Sequence, residues 1–431
     1  MIMSYPQDGD QNGNVSSFPS TIRVGRVFER PASERRFENC TTIADVAAWL
    51  IGPARRIATS LELLDELGWR LVAAGVPLAR MTFHLPTLHP QYYGIGGRWS
   101  RVLGRTEEML VGHSVRYTDA FLDSPIRRLV DTGERIRRRL DTPDAVLDFP
   151  ILAELKAEGI TEYVAVPLEL STGRRVAITL STDRPGGFAD EELKELATLG
   201  PYLAPLIEIQ IARQITSNVL AAYLGQQIGE RVLAGDILRG RGETIRAIVW
   251  LCDLRGFTRL SDHVPGPRVI AILNAYFERV VRELHSRHGE VLKFMGDGLL
   301  AIFAVADAAF APDAAAQALA AAEAAIASVD ALHGDPVLEG EPAPRMCVSI
   351  HFGDVFYGNI GASDRLDFTT IGPAVNLLAR LDQLSKTLER RILVTGEFAD
   401  VCPRPLQSLG SHVLRGLSEP HEIFTVQTAA P

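Results

Sequence analysis

Apolar positions recur along the chain with two periods, near 3.6 and near 2, and the switches between them mark out its elements. From Thr42 the spacing is helical. Thr59 and Glu62 read as a capping box ahead of Leu64, Leu67 and Leu71, and Gly75 with Pro77 ends that helix. Alternation then appears at Met81, Phe83 and Leu85. It returns at Tyr163, Val164, Val166 and Leu168 and again at Val176, Ile178 and Leu180, across Ser171-Thr172-Gly173, which predicts a hairpin. A closing helix is expected from Asp190. Its stripe, Leu193, Leu196, Leu199, Leu203, Leu206 and Ile209, is broken near Pro201 and Pro205, and either docks within the chain or pairs with the same stripe of a second copy. Gly235 to Gly242 reads as a hinge.

The second half starts with Ile245, Ala247, Val249 and Leu251, a half-buried strand that ends at Asp253 before the turn-prone Arg255-Gly256-Phe257-Thr258. Ile270, Leu273, Tyr276, Phe277, Val280, Val281 and Leu284 then describe an amphipathic helix stopping near Gly289. Next come two strands joined by Met295-Gly296-Asp297-Gly298. One strand-helix-strand passage returns the chain to a neighbouring strand, so Asp253 and Asp297 are expected side by side, an arrangement suited to hard cations and phosphate oxygens. An isolated Asp in a turn more often serves backbone hydrogen bonding, so the pair, not either residue, carries the reading. Residues 311–332 are Ala-rich and read as a packing helix; Glu339 to Pro344 reads as a polar loop. Val375, Leu378 and Leu381 predict a further helix on which Asn376 and Arg380, four apart, share one face. Lys293 sits on a strand whose neighbours Leu292 and Phe294 are expected to face away from it.

Composition narrows the class. The 431 residues are 46% hydrophobic and 23% charged, room for two or three globular domains. A net charge of -9 disfavours a general nucleic-acid surface. Cys40, Cys252, Cys347 and Cys402 lie far apart, suggesting neither a disulfide framework nor a zinc knuckle. No apolar run approaches the roughly 20 residues of a bilayer span and no signal-peptide core is recognisable, so a cytoplasmic location is expected. Residues 1–41 are polar and Pro- and Gly-punctuated, and read as a disordered tail. His84, His89 and His113, among Tyr92, Tyr93 and Trp99, read as core or surface residues rather than heme or metal ligands. Arg135, Arg137, Arg138 and Arg139 read as a solvated helix face.

Two resemblances organise these readings. The element order over 42–189, with its closing hairpin and Phe188-Ala189-Asp190-Glu191-Glu192-Leu193, resembles a GAF domain, implying an antiparallel-sheet sensor for an unidentified small-molecule effector. Residues 190–242 would be a helical linker and dimerisation element. In 243–431, Asp253-Leu254-Arg255-Gly256-Phe257-Thr258 and Lys293-Phe294-Met295-Gly296-Asp297-Gly298 resemble the metal-binding signatures of class III nucleotide cyclases. His351-Phe352-Gly353, Gly358-Asn359-Ile360-Gly361 and the run Asp367 to Leu381 follow in the family's order.

That resemblance implies an α+β chain whose catalytic domain has a ferredoxin-like βαββαβ core. It places two divalent cations, Mg2+ or Mn2+, on Asp253, Asp297 and the Leu254 carbonyl. Purine reading falls to Lys293 and Thr369, a pair implying ATP rather than GTP; Asn376 orients the ribose and Arg380 meets the transition state. The activity implied is adenylate cyclase, at sites shared between two copies of a homodimer. Guanylate cyclase and a nucleotide-binding signalling module without turnover stand as alternatives. The Gly-Gly-Asp/Glu-Glu-Phe turn of diguanylate cyclases is absent. Pro373 stands where many family members carry Asp or Asn, so a capping side chain is expected to be missing from the helix bearing Asn376 and Arg380.

Overall fold

In a computed structural model, residues 21–427 are described, apart from 36, 38, 342 and 418. The chain forms two compact units, Met1–Ala222 and Tyr223–Pro431. Both are mixed α and β, and each is built on one sheet.

The N-terminal unit carries seven strands: β1 Ile22–Glu29, β2 Arg80–Pro86, β3 Tyr92–Ser100, β4 Arg105–Gly112, β5 Ile136–Arg139, β6 Glu162–Glu169 and β7 Arg175–Thr182. They pair antiparallel in the order β1-β4-β3-β2-β7-β6-β5. Alternation along β7 sends Val176, Ile178 and Leu180 into one core and Ala177 into another, because successive side chains of a strand point to opposite faces. The first core is covered by helices Ser60–Ala73 and Gly200–Leu224, the second by Pro125–Thr132 and Pro150–Ala157. The β6–β7 hairpin and the helix ending before Gly75 form as the periodicity predicts. Thr59 accepts the Glu62 backbone N–H at the helix start.

Three expectations for this unit need correction. The tail expected over 1–41 ends earlier, because Ile22–Glu29 is an edge strand laddered to β4; residues 1–20 lie outside the described residues. Its charged side chains concealed it: Arg26 pairs with Glu108, and Arg30 with the fully buried Asp65 at 2.6 Å. The basic run is no helix face. Arg137, Arg138 and Arg139 lie on β5 and pair with Glu162, Asp148 and Asp141, of which only Asp141 is a near neighbour in sequence; Arg135 precedes the strand. Pro205 lies inside helix Gly200–Leu224 rather than breaking it. A proline there removes one hydrogen bond near the helix start, and burial of Leu203, Leu206 and Ile207 offsets that loss. Leu193, Leu199, Leu203 and Leu206 dock within the unit's own core, while Ile209 is exposed. His84 is half-buried, its imidazole pushed down to about 4 by desolvation and then by Arg80, and its Nε2 lies 2.9 Å from the Thr82 hydroxyl.

The C-terminal unit carries β8 Gly242–Arg255, β9 Glu290–Met295, β10 Gly298–Ala304, β11 Arg345–Gly361, β12 Leu366–Ile371, β13 Ile392–Thr395, β14 Leu406–Val413 and β15 Pro420–Val426. The sheet runs β14-β15-β13-β11-β8-β10-β9, with β12 paired to the far half of β11. Helix Gly266–His285 links β8 to β9 and helix Ala311–Asp330 links β10 to β11, giving the βαββαβ passage, with its four strands side by side as β11-β8-β10-β9. Ile248, Trp250, Cys252 and Leu254 of β8 enter the core under these two helices. Ala247 and Val249 face the other side, against Ala374 and Leu378 of helix Pro373–Leu388. Asp253 has the parity of that second face.

Candidate active site

The two aspartates meet because of strand register. Cys252 on β8 lies opposite Leu299 on β10, so the Gly296-Asp297 turn that opens β10 falls beside Asp253. Gly296 has φ +64°, which a side chain would strain. A Cβ on Gly298 would sit 2.8 Å from the Cys252 carbonyl oxygen, so only glycine lets the turn lie this close to β8. Burial first, and then the Asp253 charge, push the Asp297 carboxyl from 3.8 up to about 6. Asp297 also hydrogen-bonds the Asp253 carboxyl and accepts the Leu254 backbone N–H. Beneath the pair, Cys252 Sγ lies 3.1 Å from the Tyr276 hydroxyl in a closed core, where desolvation pushes the thiol up to about 12.

Two half-buried carboxylates that disfavour joint ionisation form a site that a hard cation relieves. Among the described residues no cluster of three or more His, Cys, Asp or Glu gathers as a metal site, so the remaining ligands would be water, phosphate or backbone oxygen. Leu254, whose carbonyl the resemblance makes one of them, is buried, opposite Met346 in the β8–β11 ladder.

Lys293 is brought to the strand that carries Thr369. The Lys293 ammonium pairs with Asp367 of β12, and Thr369, two residues along that strand, has Asp367's parity and so shares its face. The expected direction of the neighbours holds for Phe294, which packs on Phe277, and fails for Leu292. An irregularity in the β9–β10 register at this point turns Leu292 into the core that also holds Leu300, the residue opposite Lys293.

Asn376 and Arg380 lie one turn apart on the exposed face of helix Pro373–Leu388. Gly372 caps this helix without a side-chain hydrogen bond and Pro373 occupies its first turn, as the missing Asp or Asn implies. Among the described residues Arg380 has no ion pair. Asp382, two residues on, is buried, only 8% exposed. No hydrogen bond or ion pair among the described residues joins the carboxylate pair to Lys293, Thr369, Asn376 or Arg380.

Three further residues stand close to this constellation without having been assigned a role. Asp367 holds Lys293, Asp382 lies behind Asp253, and Arg255 spans β8 and helix Pro373–Leu388 through Cys347 Sγ at 3.0 Å, the Asp382 carbonyl and the Ser385 hydroxyl. The signal for Asp382 was present in the wheel: Leu378, Leu381 and Ser385 form the buried stripe on which it falls.

Residues 244–423 match the family model described as the adenylate and guanylate cyclase catalytic domain. The class III cyclase catalytic domain expected of this half of the chain is thereby supported. The uncharacterized protein MT1361 of Mycobacterium tuberculosis is 33% identical over 194 residues, 44% of this chain and 33% of that protein. This chain spans about a third of the length of the curated relatives it matches. Among solved structures, the adenylyl cyclase CyaB from P. aeruginosa is 25% identical with TM-score 0.41, covering 44% of this chain and 97% of that one. The guanylyl cyclase Cya2 is 24% identical with TM-score 0.38, covering 43% and 95%.

Proposed function

We propose that the chain is an adenylate cyclase that converts ATP to 3',5'-cyclic AMP and pyrophosphate at sites shared by two copies of itself. A cyclase catalytic domain implies a nucleotide substrate and a lyase reaction. The observation that carries the reading is the convergence of Asp253 and Asp297 beside the end of β8, where strand register sets the two carboxylates together. Two divalent cations held by Asp253, Asp297 and the Leu254 carbonyl would acidify the ribose 3'-hydroxyl and neutralise the triphosphate.

The remaining steps belong to the chain's own side chains. Lys293 and Thr369 read the purine edge, Lys293 donating and Thr369 able to donate or accept. Asn376 orients the ribose so that its 3'-oxygen attacks the α-phosphorus as the bond to the β-phosphate oxygen breaks. Arg380 offers planar donors to the charge that grows on the transferred group, and comparable arginines contribute roughly three to five orders of magnitude in rate. That Arg380 and Asn376 are exposed, with no side-chain hydrogen bond or ion pair among the described residues, supports their serving a site completed by another copy. No helix among the described residues is long and apolar enough to cross a membrane. The N-terminal unit, an antiparallel sheet with helices on both faces, is proposed as a GAF-like sensor whose small-molecule effector sets the alignment of the shared site.

Incubation of the purified chain with Mn2+ or Mg2+ and either ATP or GTP, followed by identification of the product, tests this reading. Cyclic AMP is expected; cyclic GMP alone would transfer the assignment to a guanylate cyclase, and binding without turnover to a signalling module.

A further inference from the structure

The N-terminal unit holds a cavity of about 250 Å3 between its sheet and the helices of its first core. Ile178 and Leu180 of β7 form its floor; Leu67 and Leu71 of helix Ser60–Ala73, with Leu199 and Leu203 at the start of helix Gly200–Leu224, form its walls. Protein interiors pack as densely as organic crystals and leave few voids larger than a water molecule, so a space of this size among large aliphatic side chains is unusual. Water gains little by filling it, because apolar walls offer no hydrogen bonds. An apolar cavity of ~150 Å3 takes up benzene, so this one has room for a longer apolar body.

Among the described residues every lining side chain is aliphatic except that of Arg135. Arg135 precedes β5 by one residue and, where the β5–β6 ladder is continued, stands opposite Val166, which also lines the cavity. It is exposed, and among the described residues it has no hydrogen bond or ion pair. Asp190, a carboxylate that it influences, is already held by Arg137 at 2.6 Å. A lone cation at the rim of an aliphatic pocket matches a ligand with one anionic end and an alkyl body.

We propose that this cavity binds one medium-chain fatty acid, its alkyl chain between β7 and the two helices and its carboxylate on the Arg135 guanidinium. The planar donors of arginine match a carboxylate and favour the acid over the corresponding alcohol. Leu199 and Leu203 belong to the segment that leads in sequence to the C-terminal unit, so an occupant touches the element through which a signal would leave the sensor. The inference thus names an effector class for the sensor reading of this unit, and rests on that reading only where turnover is concerned.

The test is calorimetric titration of the full chain with octanoate, below its micelle-forming concentration, and with octanol as its uncharged counterpart. Wild type, Arg135→Gln and Leu196→Trp are compared, with thermal melting to verify folding. Wild type should bind one octanoate per chain, about 10-fold more tightly than octanol, and Arg135→Gln should lose that preference. Leu196 is half-buried at the rim, and the larger indole of Leu196→Trp should weaken both ligands at least about 10-fold by occupying the space. No saturable binding by wild type, a preference for octanoate that survives in Arg135→Gln, or undiminished binding by folded Leu196→Trp would overturn the proposal. Should Leu196→Trp fail to fold, Val166→Phe replaces it, and the wild-type and Arg135→Gln titrations decide the proposal in either case. Cyclic AMP production with and without octanoate separates the two readings: it is expected to change in wild type and not in Leu196→Trp, whereas binding with unchanged production would keep the site and overturn its role as a sensor.

Discussion

Replacing Asp297 by Asn removes one of two carboxylates that the fold forces together, and its effect on stability should depend on pH in a definite sense. The folded chain holds the Asp297 proton more tightly than an unfolded one, about 6 against 3.8, so the folded state is penalised once the group must ionise. The penalty is absent below pH 3.8, grows between there and pH 6, and is complete above pH 6. At about 1.4 kcal/mol for each tenfold change in proton affinity, a fully enclosed group would cost roughly 3 kcal/mol. Asp297 is partly open to water, and screening reduces this to about 1 kcal/mol. For a unit the size of Tyr223–Pro431 that is roughly 2–4 °C in melting temperature. The assay is thermal melting of metal-free wild type and Asp297→Asn at pH 4 and pH 7.5, each repeated with Mn2+. Asp297→Asn should melt about 2–4 °C above wild type at pH 7.5 and level with it at pH 4, and Mn2+ should raise wild type at the higher pH alone. Equal melting of both proteins at both pH values, or equal Mn2+ stabilisation at pH 4 and 7.5, would refute the argument that the carboxylates repel and that a cation relieves them.

Two other substitutions probe the geometry. Gly298→Ala places a methyl 2.8 Å from the Cys252 carbonyl, so the turn must shift and carry Asp297 from Asp253; steady-state assays should show a loss of roughly 100-fold in kcat in a protein that remains folded. Asp367→Asn frees the Lys293 ammonium from its exposed ion pair, which should change stability by less than about 1 kcal/mol while shifting KM for ATP more than kcat.

Much of this site was legible in the sequence because it is built from local patterns. The strand before Asp253, the two-residue turn at Asp297 and the helix carrying Asn376 and Arg380 all announce themselves by period and turn chemistry within a few residues. What escaped depends on partners far along the chain. Ile22–Glu29 reads as part of a polar tail until Glu108 pairs with Arg26 and Asp65 with the Arg30 that follows the strand, and Arg137 and Arg138 read as solvated until Glu162 and Asp148 are brought to them. Leu292 was misplaced for a related reason: one irregular register step cancels the alternation on which a face assignment depends. Asp382 reads as solvent-facing because a carboxylate on a helix ordinarily is, although its position on the stripe of Leu378, Leu381 and Ser385 points inward.

Mixing two inactive variants tests the shared-site account most directly. Asp253→Ala leaves Lys293, Thr369, Asn376 and Arg380 intact in its copy, and Arg380→Ala leaves both aspartates intact in its own. Random reassortment of equal amounts makes half the dimers mixed, each with one complete site of two, so about a quarter of wild-type cyclic AMP production should return, from near zero in either variant alone. Mixed dimers, verified by differential tagging, that remain as inactive as their parents would contradict it.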